Sequence, residues 1–246
     1  MAFSSINQGI KEAFNDPNST LGTSPIFNIL INNPDIPNSF DILLDRTGDL
    51  NDTEVGTLII GGHAPGFENI VDQPHLPRVV SGRWAVPSDG MKVNGQSFTF
   101  NKSNSAVVKP GQIAAVLDTG FALPPLPPAA VDFIYGSIPG AMFTDSTYPQ
   151  WLVPCNATTS LSFVFGYVRT MFARERLAYE VFRGVEIPVH PLDITTVDNT
   201  MDILPSLGVN ATFCYNTYQY IDLDPSLFAG FDVILGDAFL RNVYAS

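Results

Sequence analysis

The run Ala114-Ala115-Val116-Leu117 leads without a break into Asp118-Thr119-Gly120. Four consecutive apolar residues ending at a glycine turn read as a short strand buried on both faces. Such a strand carries a single carboxylate to its tip, which is how a catalytic aspartate is usually mounted. The tripeptide alone says little, since a chance match in a chain of 246 residues is on the order of a few per cent. Its surroundings add to it. Pro127-Pro128 suits the first turn of a helix, where missing amide hydrogens cost nothing, and predicts a helix over Ala129 to Ile138. The proline run from Pro124 to Pro128 is read as a rigid turn into that helix rather than as a peptide ligand. Near the C-terminus a second apolar run ends in glycine, Val233-Ile234-Leu235-Gly236-Asp237, and Asp237 is read there as structural.

Twenty prolines and nineteen glycines, spread along the chain, favour many short strands and turns over long helices. The expected class is all-β, mainly antiparallel, with a few short helices. Phe40 to Gly62 reads as two strands joined by the polar turn Arg46 to Asp52, and Trp84 to Phe100 as strands turning at Asn94-Gly95. Ile6, Ile10 and Phe14 recur every four residues behind Ser5, predicting a short N-terminal helix. The Asn-, Pro- and Ser-rich stretch that follows predicts loop with one short strand, Ile26 to Ile31. There is no internal repeat and no low-complexity linker.

These pieces, in order, resemble the C-terminal lobe of a pepsin-like aspartic protease, most closely the extracellular fungal members. Ser39 to Leu44, then Val55-Gly56-Thr57-Leu58-Ile59-Ile60-Gly61-Gly62, is similar to the family's strand pair ending in a double glycine. Ser81 to Val86 and Gly90 to Gly95 resemble the strand and hairpin before the second catalytic aspartate. The resemblance implies that residues 1–246 form one acid-protease lobe, the second half of a bilobal fold. It implies Asp118 as a catalytic carboxylate supported by Thr119 and Gly120, acting on a peptide or protein substrate with no cofactor. Thr119 should bond across to the matching loop of the other lobe. It also implies a disulfide between Cys155 and Cys214, the two cysteines of the chain. Position 121 departs from the pattern: Phe121 stands where the family carries Ser or Thr, whose hydroxyl would bond the outer carboxylate oxygen and favour its ionised form. The first catalytic aspartate and the flap tyrosine have no counterpart in the sequence, so an N-terminal lobe and a last strand are expected to be missing.

The formal net charge is −12, which makes nucleic acid and anionic membranes poor partners because both demand a basic face. Five Asn-X-Ser/Thr sequons, at Asn18, Asn51, Asn101, Asn156 and Asn210, point to a glycosylated protein on the secretory route, where a disulfide survives. Met1-Ala2-Phe3 opens no signal peptide, and no apolar run is long enough to span a membrane. The full-length protein is therefore expected to be extracellular. His63, His75 and His190 stand apart without metal-ligand spacing, and no Gly-X-Ser-X-Gly elbow occurs, so metal and serine hydrolysis are not indicated.

One segment interrupts the pattern. Leu161 to Phe165 and Val185 to Val189 alternate as strands, yet the seventeen residues between Gly166 and Gly184 hold four of the twelve basic residues and read as helix. Without Tyr167 to Arg183 the sequence would be LSFVFGGVEIPVHP, a strand, a Gly-Gly turn and a strand. Two origins stay open: a surface insertion, or a retained intron of 51 nucleotides (17 × 3). Two functions stay open as well. One is an aspartic endopeptidase in which paired aspartates activate water; the other is an inactive lobe that binds peptide or glycan or inhibits another enzyme.

Overall fold

The computed structural model describes residues 25–46, 56–73, 75–144, 149–174, 177–202, 212–221 and 230–246. Its first element is a helix, α1 (Pro25–Asn32), where the sequence predicts a strand. The run Ile-Phe-Asn-Ile-Leu-Ile has strand-forming residues, but Pro25 opens the helix and Ile26 buries its side chain. At the other end Asn32 and Asn33 each donate to a carbonyl four residues back, 2.8 Å in both cases. The expected N-terminal helix at Ile6, Ile10 and Phe14 lies outside the described residues, as do Asn18, Asn51 and Asn210 and most of the turn after Arg46.

The remaining described elements are mostly strands, and the lobe is all-β as the composition indicates. β1 (Phe40–Leu43) pairs antiparallel with β2 (Thr57–Ile60), and on its other side with β15 (Tyr244–Ala245) near the end of the chain. β3 (Ala85–Val93) turns at Asn94 and Gly95, with φ of 51° and 78°, into β4 (Gln96–Phe98). Both turn residues are left-handed, which is what a tight hairpin matched to strand twist requires.

The central sheet runs in the order β10–β9–β3–β5–β14. Here β5 is Ile113–Leu117, β9 is Leu161–Arg174, β10 is Leu177–Val189 and β14 is Val233–Leu235. Every residue of β5 and β14 is buried, which explains their unbroken apolar runs. β14 pairs parallel with β5 while β3 pairs antiparallel with its other edge. β6 (Pro125–Leu126) leads into the helix α2 (Pro128–Gly136), whose Ala130, Val131, Ile134 and Tyr135 face the core. A second sheet, in the order β11–β12–β8–β7, comprises β7 (Met142–Thr144), β8 (Gln150–Pro154), β11 (Thr195–Asp202) and β12 (Thr212–Asn216). β13 (Gln219–Tyr220) pairs parallel with β6.

The segment read from sequence as a helix, Tyr167 to Arg183, is strand over its described residues, 167–174 and 177–183. β9 and β10 continue through these as antiparallel partners, pairing from Val168 with Arg183 to Arg174 with Leu177. Its residues include Val168, Thr170, Phe172, Tyr179, Val181 and Phe182, whose β-branched and aromatic side chains suit strands, and an existing hairpin supplies the register. At the junction the register shifts between Arg183 and Val185, so that Gly166 and Tyr167 stand against Gly184.

The larger of two core clusters almost wholly encloses Tyr135, Phe163, Phe239, Met91 and Leu161, and a smaller one gathers Val79, Ala85, Ala114, Val116, Phe231 and Ile234. Tyr135 also ties elements together. Its hydroxyl donates to the Ile194 carbonyl at 2.7 Å and accepts from the Tyr218 amide at 2.9 Å. Cys155 and Cys214 form the disulfide that the resemblance implies, joining the end of β8 to β12 with their Cα atoms 5.0 Å apart.

Candidate active site

Asp118 sits at the tip of β5, half-buried, with Thr119 beside it and Gly120 exposed. The parallel pairing of β5 and β14 sets Leu117 opposite Leu235, and the Asp118 amide continues the ladder to the Leu235 carbonyl at 3.1 Å. The chain then folds back on itself. Gly120 donates its amide to Asp118 Oδ1 at 2.8 Å, and the Phe121 amide reaches the Asp118 carbonyl at 3.3 Å. The hydrogen bond from the Gly120 amide fixes where that carboxylate oxygen lies.

The returning loop rests on the end of β14. The Asp237 amide donates to the Phe121 carbonyl at 2.9 Å, and a Cβ added to Gly236 would lie only 1.9 Å from that carbonyl oxygen. Glycine at 236 is thus a condition for the loop's position. At the other end of the two strands Asp232 acts as a clamp. Its carboxylate accepts from Ser103 Oγ at 2.5 Å, the Asn104 amide at 2.7 Å and the Ala114 amide at 2.8 Å.

Asp237 opens the short helix α3 (Asp237–Leu240) against the Phe121 carbonyl. Burial pushes its carboxyl above the ordinary aspartate range, the nearby charge of Asp118 adds to the rise, and Arg241 opposes it. Its Oδ1 is buried and makes no hydrogen bond among the described residues. Sequence reading gave this residue no part in the site; the signal was its place two residues after the apolar run that flanks the Asp118 strand. Phe121 keeps its backbone locked in the loop while the side chain is 36% exposed, and Leu123 nearby is 41% exposed.

His63 and His190 make contacts in separate places. His63 Nδ1 meets Asp41 Oδ2 at 2.6 Å, and His190 Nδ1 accepts the Leu192 amide at 3.2 Å. Among the described residues no group of three or more His, Cys, Asp or Glu side chains is placed to share a metal ion. No helix among them is long and apolar enough to cross a membrane. Of the sequons, Asn101 and Asn156 fall within the described residues, and both are exposed.

A buried strand carrying one aspartate to a glycine turn, flanked in parallel by an apolar strand ending in glycine, defines the class to which this lobe belongs. The chain is a member of the eukaryotic aspartyl protease family, whose family model matches residues 8–246. It is similar to the aspartic-type endopeptidase ctsD of Aspergillus fumigatus, 27% identical over 166 residues. That match takes in 67% of this chain and 26% of the relative, so the chain spans about a quarter of the relative's length.

Proposed function

We propose that this chain supplies one of the two carboxylates of an aspartic-type endopeptidase, and that Asp118 is that carboxylate. The observation that carries the reading is the fixed seat of Asp118, held through its own amide by β14 and through Oδ1 by the Gly120 amide. In the complete site one ionised aspartate takes a proton from water, whose oxygen attacks the scissile peptide carbon. A second, protonated aspartate donates its proton to the carbonyl oxygen. Collapse of the intermediate then breaks the C–N bond, and the departing amine leaves with a proton. Two carboxyls held close cannot both ionise, so they share one proton and the pair works in acid.

The second carboxylate comes, in this reading, from an N-terminal lobe that faces Asp118, with Thr119 and Gly120 forming this lobe's side of the contact. The exposed sequons Asn101 and Asn156 and the Cys155–Cys214 bridge support a secreted, glycosylated enzyme. Phe121 favours a second reading, a lobe that binds peptide without cleaving it, because phenylalanine donates no hydrogen bond to the outer oxygen of Asp118. Sequencing the transcript upstream of Met1 separates the two: a first Asp-Thr-Gly and a flap tyrosine are expected. The full-length product should then digest an unfolded protein in acid and lose that activity when Asp118→Ala is introduced. An upstream lobe with both elements whose product remains inert would leave the binding reading standing.

A further inference from the structure

The two sequons within the described residues sit in opposite circumstances. Asn101 is exposed in the loop after β4, but the serine that completes its sequon is tied down. Ser103 Oγ donates to Asp232 Oδ2 at 2.5 Å and accepts the Ser105 amide at 2.9 Å. The Asn104 amide is held as well, by Asp232 Oδ1 at 2.7 Å. Asp232 is buried directly before β14, and its own amide donates to the Ala114 carbonyl at 2.9 Å. The loop is therefore pinned by the residue that leads into β14, through bonds that a charged acceptor strengthens.

Asn156 lies in the turn after β8, and both it and Thr158 are exposed. No described residue holds the Thr158 hydroxyl. The neighbours that are fixed are Cys155, by its disulfide, and Ala157, whose amide reaches the Pro154 carbonyl at 2.9 Å. Thr158 itself belongs to no strand or helix. One sequon thus has its hydroxyl engaged on both sides, and the other presents its hydroxyl to solvent.

A sequon is recognised through the hydroxyl two residues beyond its asparagine, which has to be free to enter the transferase. The asparagine amide nitrogen then attacks the anomeric carbon of a sugar carried on a lipid diphosphate. The new N–C bond forms as the C–O bond to the diphosphate breaks; the diphosphate leaves with that electron pair, and a base of the transferase takes the amide proton. We propose that Asn101 accepts its glycan only while β14 is undocked, that Asp232 closes the sequon on docking by engaging Ser103, and that Asn156 stays an acceptor in the folded lobe. Because Asn101 is itself exposed, a glycan already in place does not obstruct the clamp. The proposal rests on the secreted, glycosylated reading above; its test uses isolated enzyme, so the result bears on acceptor geometry and export is judged separately.

The test incubates the folded, sugar-free chain with a purified oligosaccharyltransferase and a lipid-diphosphate-linked oligosaccharide, and mass spectrometry follows occupancy at Asn101 and Asn156. Peptides spanning residues 96–108 and 151–163 give each sequon's rate without the fold, which removes the intrinsic difference between a serine and a threonine sequon. In the folded chain Asn156 is expected to keep most of its peptide's rate. Asn101 should fall at least about tenfold below its own peptide, because the clamp has to open first. Asp232→Asn leaves the Ser103 hydroxyl and the Asn104 and Ala114 amides competing for one acceptor oxygen. It should raise the Asn101 rate at least about threefold and leave Asn156 unchanged. Equal rates for Asn101 in chain and peptide overturn the proposal. So does an Asn156 slowed as much as Asn101, since folding as a whole would then close both, or a folded Asp232→Asn chain in which Asn101 stays as slow. Should that variant not fold, the comparison of chain with peptide decides alone.

Discussion

At Gly236 an added methyl group would sit 1.9 Å from the Phe121 carbonyl oxygen, closer than any two such atoms approach. Gly236→Ala must therefore push the Asp118 loop off the end of β14, and a cost of about 2–4 kcal/mol is expected from urea unfolding. A smaller loss, with the Phe121 amide exchanging no faster than before, would mean that the loop is not held as described. Asp41 gives a prediction in pH. Burial alone would raise its carboxyl, but hydrogen bonds involving Ser246, Tyr244 and His63 outweigh it, and the result is a lowered value. A carboxyl lowered in the folded state adds stability above its unfolded value, and that contribution disappears as pH falls through the folded one. Asp41→Asn should therefore destabilise the lobe at neutral pH and flatten the acid limb of its stability curve, read from melting temperatures between pH 2 and pH 7. Equal slopes for the two proteins would overturn the assignment. Neither partnership was legible in the sequence. His63 is 22 positions from Asp41, and Arg46, whose guanidinium grips the buried Asp193 at 2.6 Å and 2.9 Å, is 147 positions from it. Residue type and spacing report local chemistry, and pairings of this reach depend on the finished sheet.

Among the elements, the hairpin of β9 and β10 carries the sharpest test. Phe165 faces Val185 in register, and Gly166 already has φ of 69°. Removing Tyr167 to Arg183 would leave Gly166-Gly184 as a two-residue turn directly beyond a closed pair, the arrangement that fixes register in short hairpins. The deletion is expected to leave the denaturation midpoint unchanged or higher, and a lower midpoint would show that the extension packs on the lobe. Transcript sequencing distinguishes an insertion from a retained intron. A second element-scale prediction concerns the bridge from β8 to β12, which closes a loop of sequence separation 59. Replacing both Cys155 and Cys214 by Ser should cost about 4 kcal/mol if chain entropy governs. A loss below ~1 kcal/mol would count against that account. The strands with clear alternation and the Asn94-Gly95 turn were readable beforehand, because period and turn chemistry act within a few residues. The stretches at Ile26 to Ile31 and Tyr167 to Arg183 were misread in opposite senses. In the first a proline start and amide caps outweighed strand-forming side chains. In the second the existing hairpin continued outward through residues whose charge pattern suggested a helix.

At the scale of the molecule, one lobe holding one Asp-Thr-Gly turn should not cleave peptides unaided, because a single carboxylate cannot serve as base and acid for the same bond. Purified chain is expected to show no acid proteolysis above background, and Asp118→Ala should behave identically; activity abolished by that substitution would overturn the prediction. The parallel pairing of β5 with β14 has a further consequence, for the order in which the protein is made. Asp232 holds the Ala114 amide across 118 positions of chain, and the Leu235 carbonyl that receives the Asp118 amide comes later still. Contacts of such long separation form late, after the loop between them has closed. On the ribosome the aspartate turn is synthesised more than a hundred residues before the strand it rests on, and has no support until Asp232 to Leu235 emerge. A chain stalled before Asp232 can fold several of its hairpins while its carboxylate stays unmounted, so incomplete translation products lack the seated Asp118 turn.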